Sequence, residues 1–292
     1  MDAPEIFDRN LRRARRDRAA AGYAAHGFLR AFMLDGIHDR LDTVTRAFGD
    51  VLDIGSFDGA FALPAGRIVR CDAGRRWAIG GVQADEDRLP FADASFDLVV
   101  SAGVLDTVND LPGALTLIRR ALRPDGLFLG AFAGAGSLPT LRACLRDAEH
   151  GVARLHPQID VRSAGDLLVR AGFALPVADT ERLTVRYASV FNLLADLRGM
   201  AASNLLPDRV PMTRRILAQL ADAFAARADA EGRTAEAFEV VFLTGWAPAP
   251  SQPKPARRGS ATASLKTALG SRQTSASSSA ISGLSAGGMS SR

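Results

Sequence analysis

Four short stretches carry side chains whose types and spacing suit the binding of a nucleoside. The stretch VLDIGSFDGAF, residues Val51 to Phe61, joins an apolar run to Asp53, Gly55 and Gly59. Asp72 ends the run RIVRCD, Asp85 stands in QADEDRLPF, and Ser101 ends FDLVVS. In open parallel sheets ligands sit beyond the carboxyl ends of the strands, where the strand order reverses. A glycine loop lets the backbone approach a ligand closely. A carboxylate at the end of the second strand can accept both hydroxyls of a ribose, and one after the third can accept from an adenine amine. Singly, an Asp at a strand end is more often a cap or a surface charge. It is their order along the chain that points to one site.

Other chemistries find less support. Non-haem iron needs two histidines and a carboxylate with open positions. The histidines are His26, His38, His150 and His156, and none stands in a His-x-Asp arrangement. The nearest pattern is His156 with Asp160 in HPQID. Cys71 and Cys144 have no neighbouring His–Asp constellation for nucleophilic work. They form no disulfide framework, which suits a reducing compartment. No G-x-x-x-x-G-K run is present to cradle a triphosphate.

The elements that must position these residues can be read from periodicity. Strand-like runs fall at 50–54, 67–71, 96–101 and 126–132, with a further strand expected just before Asp85. Helical periods fall at 26–47, 110–122 and 138–149. Alternating strands and helices predict an α/β domain with a mainly parallel sheet. Ser163 with Asp166 resembles a capping box for a helix ending near Gly172. Strands at 183–187 and 237–246, with helices at 188–200 and 212–230 between them, read as a later antiparallel part at the sheet edge. Residues 6–21 (IFDRNLRRARRDRAAA) predict a charged helix, with Arg9, Arg12, Arg13 and Arg16 at helical spacing. Its simplest reading is a solvated helix; the functional alternative is a docking arm for an acidic partner.

The chain has 292 residues and a net charge of +4. From Ala247 onward there are six basic residues and no acidic ones, which leaves 30 basic against 32 acidic in the body. The basicity therefore belongs to a tail, and with no basic–aromatic interleaving nucleic-acid binding is not expected. That tail, rich in Ser, Ala, Gly and Pro, is expected to be disordered. The domain reading is a basic helix at 1–21, a domain at 22–247 and the tail at 248–292. No apolar run is long enough to span a bilayer, and the acidic opening MDAPEIFDRN does not read as a secretory signal.

The ordered set VLDIGSFDG, VRCD, QADEDRLPFADASFDLVVS, NDLPGAL and LRPDGLFLGAF resembles the motifs of class I S-adenosylmethionine-dependent methyltransferases. FDLVVSAGVLDTVNDLPGAL, GAGSLPTLRACLRDAE, DLLVRAGFALPVADTERLTVRY and LLADLRGMAASN are similar to one branch, the methyltransferase-like assembly factor of respiratory complex I. That branch is described as an arginine hydroxylase in its mitochondrial members. The resemblance implies a Rossmann-like, seven-stranded methyltransferase fold and a role in building complex I. The target it implies is an arginine on the subunit that holds the terminal iron–sulfur cluster. It implies S-adenosyl-L-methionine as cofactor, with Asp53, Gly55 and Gly59 on the methionine side, Asp72 at the ribose, Asp85 at the adenine, and Ser101 nearby. A bacterial chain of this kind would be cytoplasmic and a eukaryotic one would lie in the mitochondrial matrix, with contact to the membrane only through complex I.

The departures from that pattern carry their own expectation. Phe57 stands where the loop's central glycine belongs, in space a methionine moiety needs. Gly55 to Asp72 is 17 positions, where working members have about one helical turn more. Asp72 to Asp85 is 13 positions, too few for a full crossover helix and a return strand. AGRRWAIGG should make a turn with Trp77 packed inward, and LDTV (Leu105 to Val108) replaces the LHWV of relatives. The cofactor-side helices are thus expected to be shortened and the cofactor site degenerate. Two other classes stay open: an active methyltransferase on a small molecule or protein, and a non-catalytic binding module or chaperone. Arg186, Tyr187 and Arg198 are candidates to face a protein partner.

Overall fold

In the computed structural model, which describes residues 5–64 and 66–252, VLDI forms the middle of a sheet. Of the proposed tail at 248–292, residues 253–292 lie outside the described residues. Strand β1 (Asp50–Ile54) is flanked on both sides by parallel neighbours, β2 (Arg67–Asp72) and β4 (Phe96–Ala102). A strand covered on both faces is mostly apolar, so Val51, Leu52 and Ile54 do not alternate with exposed polar residues, and Asp53 stands among them as a buried carboxylate. Strands β3 (Val82–Gln83), β5 (Leu122–Ala133), β6 (Ala174–Tyr187) and β7 (Thr234–Trp246) complete the order β3-β2-β1-β4-β5-β7-β6. β7 runs antiparallel to both β5 and β6, which leaves β6 on the edge. The expected α/β sheet with a late antiparallel part is therefore present. The strand order reverses between β1 and β4, the switch point at which ligands bind in such sheets.

Helices cover both faces. On one side β1, β4 and β5 bury Val51, Leu98 and Leu129 against α2 (Phe28–Asp42), α4 (Pro139–Ala148), α6 (Val190–Gly199) and α7 (Arg214–Ala225). On the other, Leu52, Val99 and Phe128 pack on α3 (Leu111–Ala121) and α5 (Val161–Arg170). Alternation along each strand divides these two cores.

The crossovers nearest the switch point carry no helix. Among the described residues, 55–64 and 66 between β1 and β2 form turns and irregular chain, as do residues 73–81 between β2 and β3. The shortening read from the spacing thus goes to completion. The opening of α5 corrects another expectation: its N-cap is Asp160, which accepts from Ser163 N at 3.0 Å and from Ser163 Oγ at 2.7 Å. Asp160 wins because its carboxylate, one residue before the helix, reaches the free N–H groups of the first turn.

Candidate functional site

The loop after β1 is held by backbone hydrogen bonds to the strand beside it. Gly55 N and Ser56 N both donate to Cys71 O, at 2.8 and 3.2 Å, and Gly59 N closes the turn on Ser56 O at 2.8 Å. Gly55 has φ +71°, and a Cβ there would stand 2.5 Å from a Val104 methyl, so only glycine fits. Phe57 also lies in the left-handed region, at φ +43°, and donates its N–H to Asp72 Oδ2 at 3.2 Å. Its ring, 5% exposed, turns inward and stacks on Tyr23 with centroids 4.9 Å apart. Trp77 closes the cluster edge-on at 5.8 Å and donates Nε1–H to Arg16 O at 3.0 Å. The inward packing expected of Trp77 is present.

The space beyond the strand ends is occupied by arginines. Helix α1 (Arg9–Ala19), capped by Asp8 on Leu11 N, lays one face across the carboxyl ends of β2 and β3. Arg16 sends Nε to Asp72 Oδ1 at 2.9 Å and Nη2 to Oδ2 of the same carboxylate. Its guanidinium also lies 3.9 Å above the Phe57 ring. Arg13 takes Asp85 through Nη2 at 2.6 Å, with Nε at 3.3 Å. Arg12 grips Glu86 at 2.7 and 2.9 Å, and Arg9 grips Asp87 at 2.7 and 2.6 Å. Each is a two-pronged guanidinium–carboxylate pair, the strongest geometry such charges adopt. Asp72, Asp85 and Glu86 are 1%, 3% and 2% exposed, and Arg12 and Arg16 are buried with them.

Arg12 and Arg16 therefore overturn the expectation of a solvated helix. Burial works against the charge on Arg12, but Glu86 outweighs it and holds the guanidinium protonated. Burial likewise pushes Asp87 up, yet the hydrogen-bonded Arg9 fork keeps its carboxyl below the usual range. The helical spacing of the arginines was visible in the sequence, and so was the acidic run Asp85-Glu86-Asp87. Their pairing was missed because Arg12 and Glu86 are 74 residues apart.

Asp53 has a different environment. Parallel neighbours point the same way, so Asp53 shares a face with Val100 and looks towards α2. It is fully buried, its two oxygens make no hydrogen bond among the described residues, and Arg30 Nη2 is 3.8 Å from Oδ1. Burial pushes its carboxyl up to about 6, against the pull of Arg30. Ser101 pairs with Ile54 and so points to the opposite face of the sheet, towards the other core. Asp53, Gly55, Gly59 and Asp72 are thus gathered round one loop, Asp85 lies beside them, and the Ser101 side chain is turned away. Between Tyr23, Arg30, Met33, Phe57, Gly103 and Asp106 a cavity of about 50 Å³ remains.

The histidines lie in separate places. His26 Nδ1 meets Asp196 Oδ1 at 2.7 Å, and His38 contacts Leu34 O and Ala62 O. His156 does not meet Asp160, which is taken up as the α5 cap. It packs edge-on against Phe7 at 5.5 Å and interacts with Asp106. Burial pushes His156 down and Asp106 up, and each partly offsets the other. Arg186 is paired with Asp229 at 2.5 Å and Glu231 at 3.0 Å, and Tyr187 is buried. Of the three candidates for a partner surface, only Arg198 is exposed without an ion pair among the described residues.

Residues 52–130 match the model of a methyltransferase domain. Over 90% of its length the chain is 35% identical to the mitochondrial arginine-hydroxylase NDUFAF5 of Rattus norvegicus, covering 83% of that protein. The chain belongs to the NDUFAF5 family. Within the wider methyltransferase superfamily, this NDUFAF5-family chain is also 33% identical to a malonyl-[acyl-carrier protein] O-methyltransferase of Laribacter hongkongensis, over 83% of its own length and 90% of that protein. Its fold is that of class I methyltransferases. The YcgJ protein of Bacillus subtilis superposes with a TM-score of 0.52 at 17% identity, over 77% of this chain and all of that one.

Proposed function

We propose that this NDUFAF5-family chain acts in the assembly or modification of respiratory complex I, on a methyltransferase fold whose S-adenosylmethionine site is filled from within. The carrying observation is Arg16, which engages both oxygens of Asp72 while lying on the ring of Phe57. A ribose would need the same two oxygens, and an adenine amine would compete with Arg13 for Asp85. About 50 Å³ remains near the loop, whereas small-molecule sites generally offer roughly 300 Å³ or more. To enter this arrangement the cofactor would have to displace Arg16 from Asp72 and Arg13 from Asp85. The methionine side is less altered: Asp53 and Arg30 retain polar atoms without a hydrogen bond among the described residues.

Among the described residues no helix is long and apolar enough to cross a membrane, in keeping with a factor that meets complex I from the aqueous side. That side would be the cytoplasm in a bacterium and the matrix in a mitochondrion. Titration calorimetry with S-adenosylmethionine tests the site. The wild type should show no heat of binding at millimolar cofactor, and micromolar affinity lost in Asp72→Ala would overturn the proposal. Co-purification with the complex I subunit holding the terminal iron–sulfur cluster tests the partner independently.

A second reading is an active methyltransferase on a small molecule or protein, favoured by the similarity to malonyl-[acyl-carrier protein] O-methyltransferases. It requires α1 to leave the cleft and Phe57 to turn out. Deleting residues 1–20 should then create cofactor affinity, whereas a chaperone that docks through α1 would lose its partner.

A further inference from the structure

A second cavity, of about 510 Å³, opens on the side of the sheet covered by α4, α6 and α7, away from the carboxylate forks. Its volume lies within the range of small-molecule sites. The floor is aliphatic, built from Leu145, Leu194, Leu197 and Leu220 among others, and no aromatic ring lines it. The rim is cationic: Arg15 and Arg18 come from α1, Arg198 from the end of α6, and Arg209 from the chain before α7. No acidic residue lines the cavity.

A fifth lining arginine, Arg154, is neutralised by Glu149 at 2.5 Å, but the other four are poorly neutralised by the chain itself. Arg18 and Arg198 have no ion pair among the described residues. Arg209 meets a carboxylate only at Asp8, 3.8 Å away, and donates to Leu206 O at 2.8 Å, while Arg15 donates to the backbone of Asn204. Burial first, then the repulsion of Arg209 and Arg18, pushes the Arg15 guanidinium down against the pull of Asp8. The contrast with the opposite face of the same helix is sharp, since every arginine there has its own carboxylate.

The geometry points to a site for a small amphiphile with one alkyl chain ending in an anion, a carboxylate or a phosphate. The chain would lie on the leucine floor and the anion would meet the arginine rim. Single strands of nucleic acid are excluded by the lack of a ring for bases to stack on. Residues 253–292 carry basic residues and no acidic ones, so their charge repels rather than matches the rim. The inference does not depend on the cofactor cleft, because none of the four carboxylates that α1 engages lines this cavity.

Calorimetry on the full chain with dodecyl phosphate and with laurate, both kept below their micellar concentrations, tests the assignment. Dodecyl maltoside and inorganic phosphate serve as single-feature controls. Micromolar binding of either anionic amphiphile, with neither control binding within a hundredfold, is expected. Arg18→Gln combined with Arg198→Gln should weaken that binding at least tenfold, since both side chains are exposed and their loss leaves the fold intact. Preference for phosphate over laurate would indicate a lipid headgroup, and the reverse a fatty acid. Absence of binding, or equal affinity in the double variant, would overturn the inference. So would binding only to phosphatidylglycerol vesicles and not to the monomers, which would mean a membrane-facing patch, or a preference for an acidic peptide.

Discussion

Asp53 shows how burial turns a carboxyl into a pH-dependent liability. Its ordinary value of 3.8 rises to about 6 in the folded chain, so the folded state holds that proton more tightly than the unfolded state does. Its contribution is therefore neutral in acid, below the unfolded value, and turns unfavourable as pH rises through about 6, by about 3 kcal/mol at most. Asp53→Asn, which keeps the shape and never ionises, should raise the melting temperature at pH 8 and change it little at pH 4. A melting series across that window checks the sign. Phe57 makes an opposite bargain, accepting a left-handed backbone in return for ring contacts. Replacing it by glycine should destabilise less than replacing it by alanine, by about 1 kcal/mol, because both lose the ring but only alanine keeps the strain. Chemical denaturation of the two variants compares them directly.

Helix α1 is the element on which the site depends. Its four arginines at i, i+3, i+4 and i+7 present one face to four carboxylates that would otherwise be buried without counter-charges. Breaking such a pair leaves the partner charged and desolvated. Arg12→Ala should accordingly cost about 3–5 kcal/mol, while Arg12→Met with Glu86→Leu should recover most of that loss. Denaturant midpoints of the two variants test this, and an undamaged single variant would show that Glu86 finds water instead. A second consequence concerns the cleft. Arg16→Ala with Phe57→Gly frees Asp72 and empties the ring space, so this double variant should bind adenosine or S-adenosylhomocysteine measurably more tightly than the wild type. Equilibrium dialysis with a labelled nucleoside reads the difference.

At the scale of the whole molecule, the sheet grades from a firmly covered centre to a slight edge at β3, while the other edge, β6, is long. β1, β4 and β5 are covered on both faces, whereas β3 contributes only two residues, Val82 and Gln83. Local opening should follow that gradient, since protection tracks burial and hydrogen bonding. Amide exchange should be slowest at Leu52, Val99 and Leu129 and fastest, within the sheet, at β3. If β3 were instead protected as strongly as β1, α1 would be clamping that edge more firmly than its forks alone require. The helix faces carboxylates with one side and the leucine-floored cavity with the other, so it ties both features to the same element.

The positions of β1, β4, α3 and α4 were legible because they rest on local causes. Apolar runs bounded by Gly and Pro, and apolar periods of helical spacing, act within a dozen residues. The loop of Asp53, Gly55 and Gly59 and the carboxylate at the end of β2 were legible for the same reason, as strand ends. The trimming of the crossovers could be counted from spacing once the resemblance supplied the lengths to compare with. What only the tertiary structure decided is what those carboxylates face. Arg16 and Asp72 are 56 residues apart, and nothing local in either stretch names the other. The direction of Ser101, turned to the far face, followed from register, and the approach of Asp106 to His156 from the packing of two loops distant in sequence. The sequence by itself determined a methyltransferase scaffold with an acidic cleft. The packing of α1 across that cleft, favoured because buried carboxylates need cations, decided that the cleft is filled by the chain's own arginines.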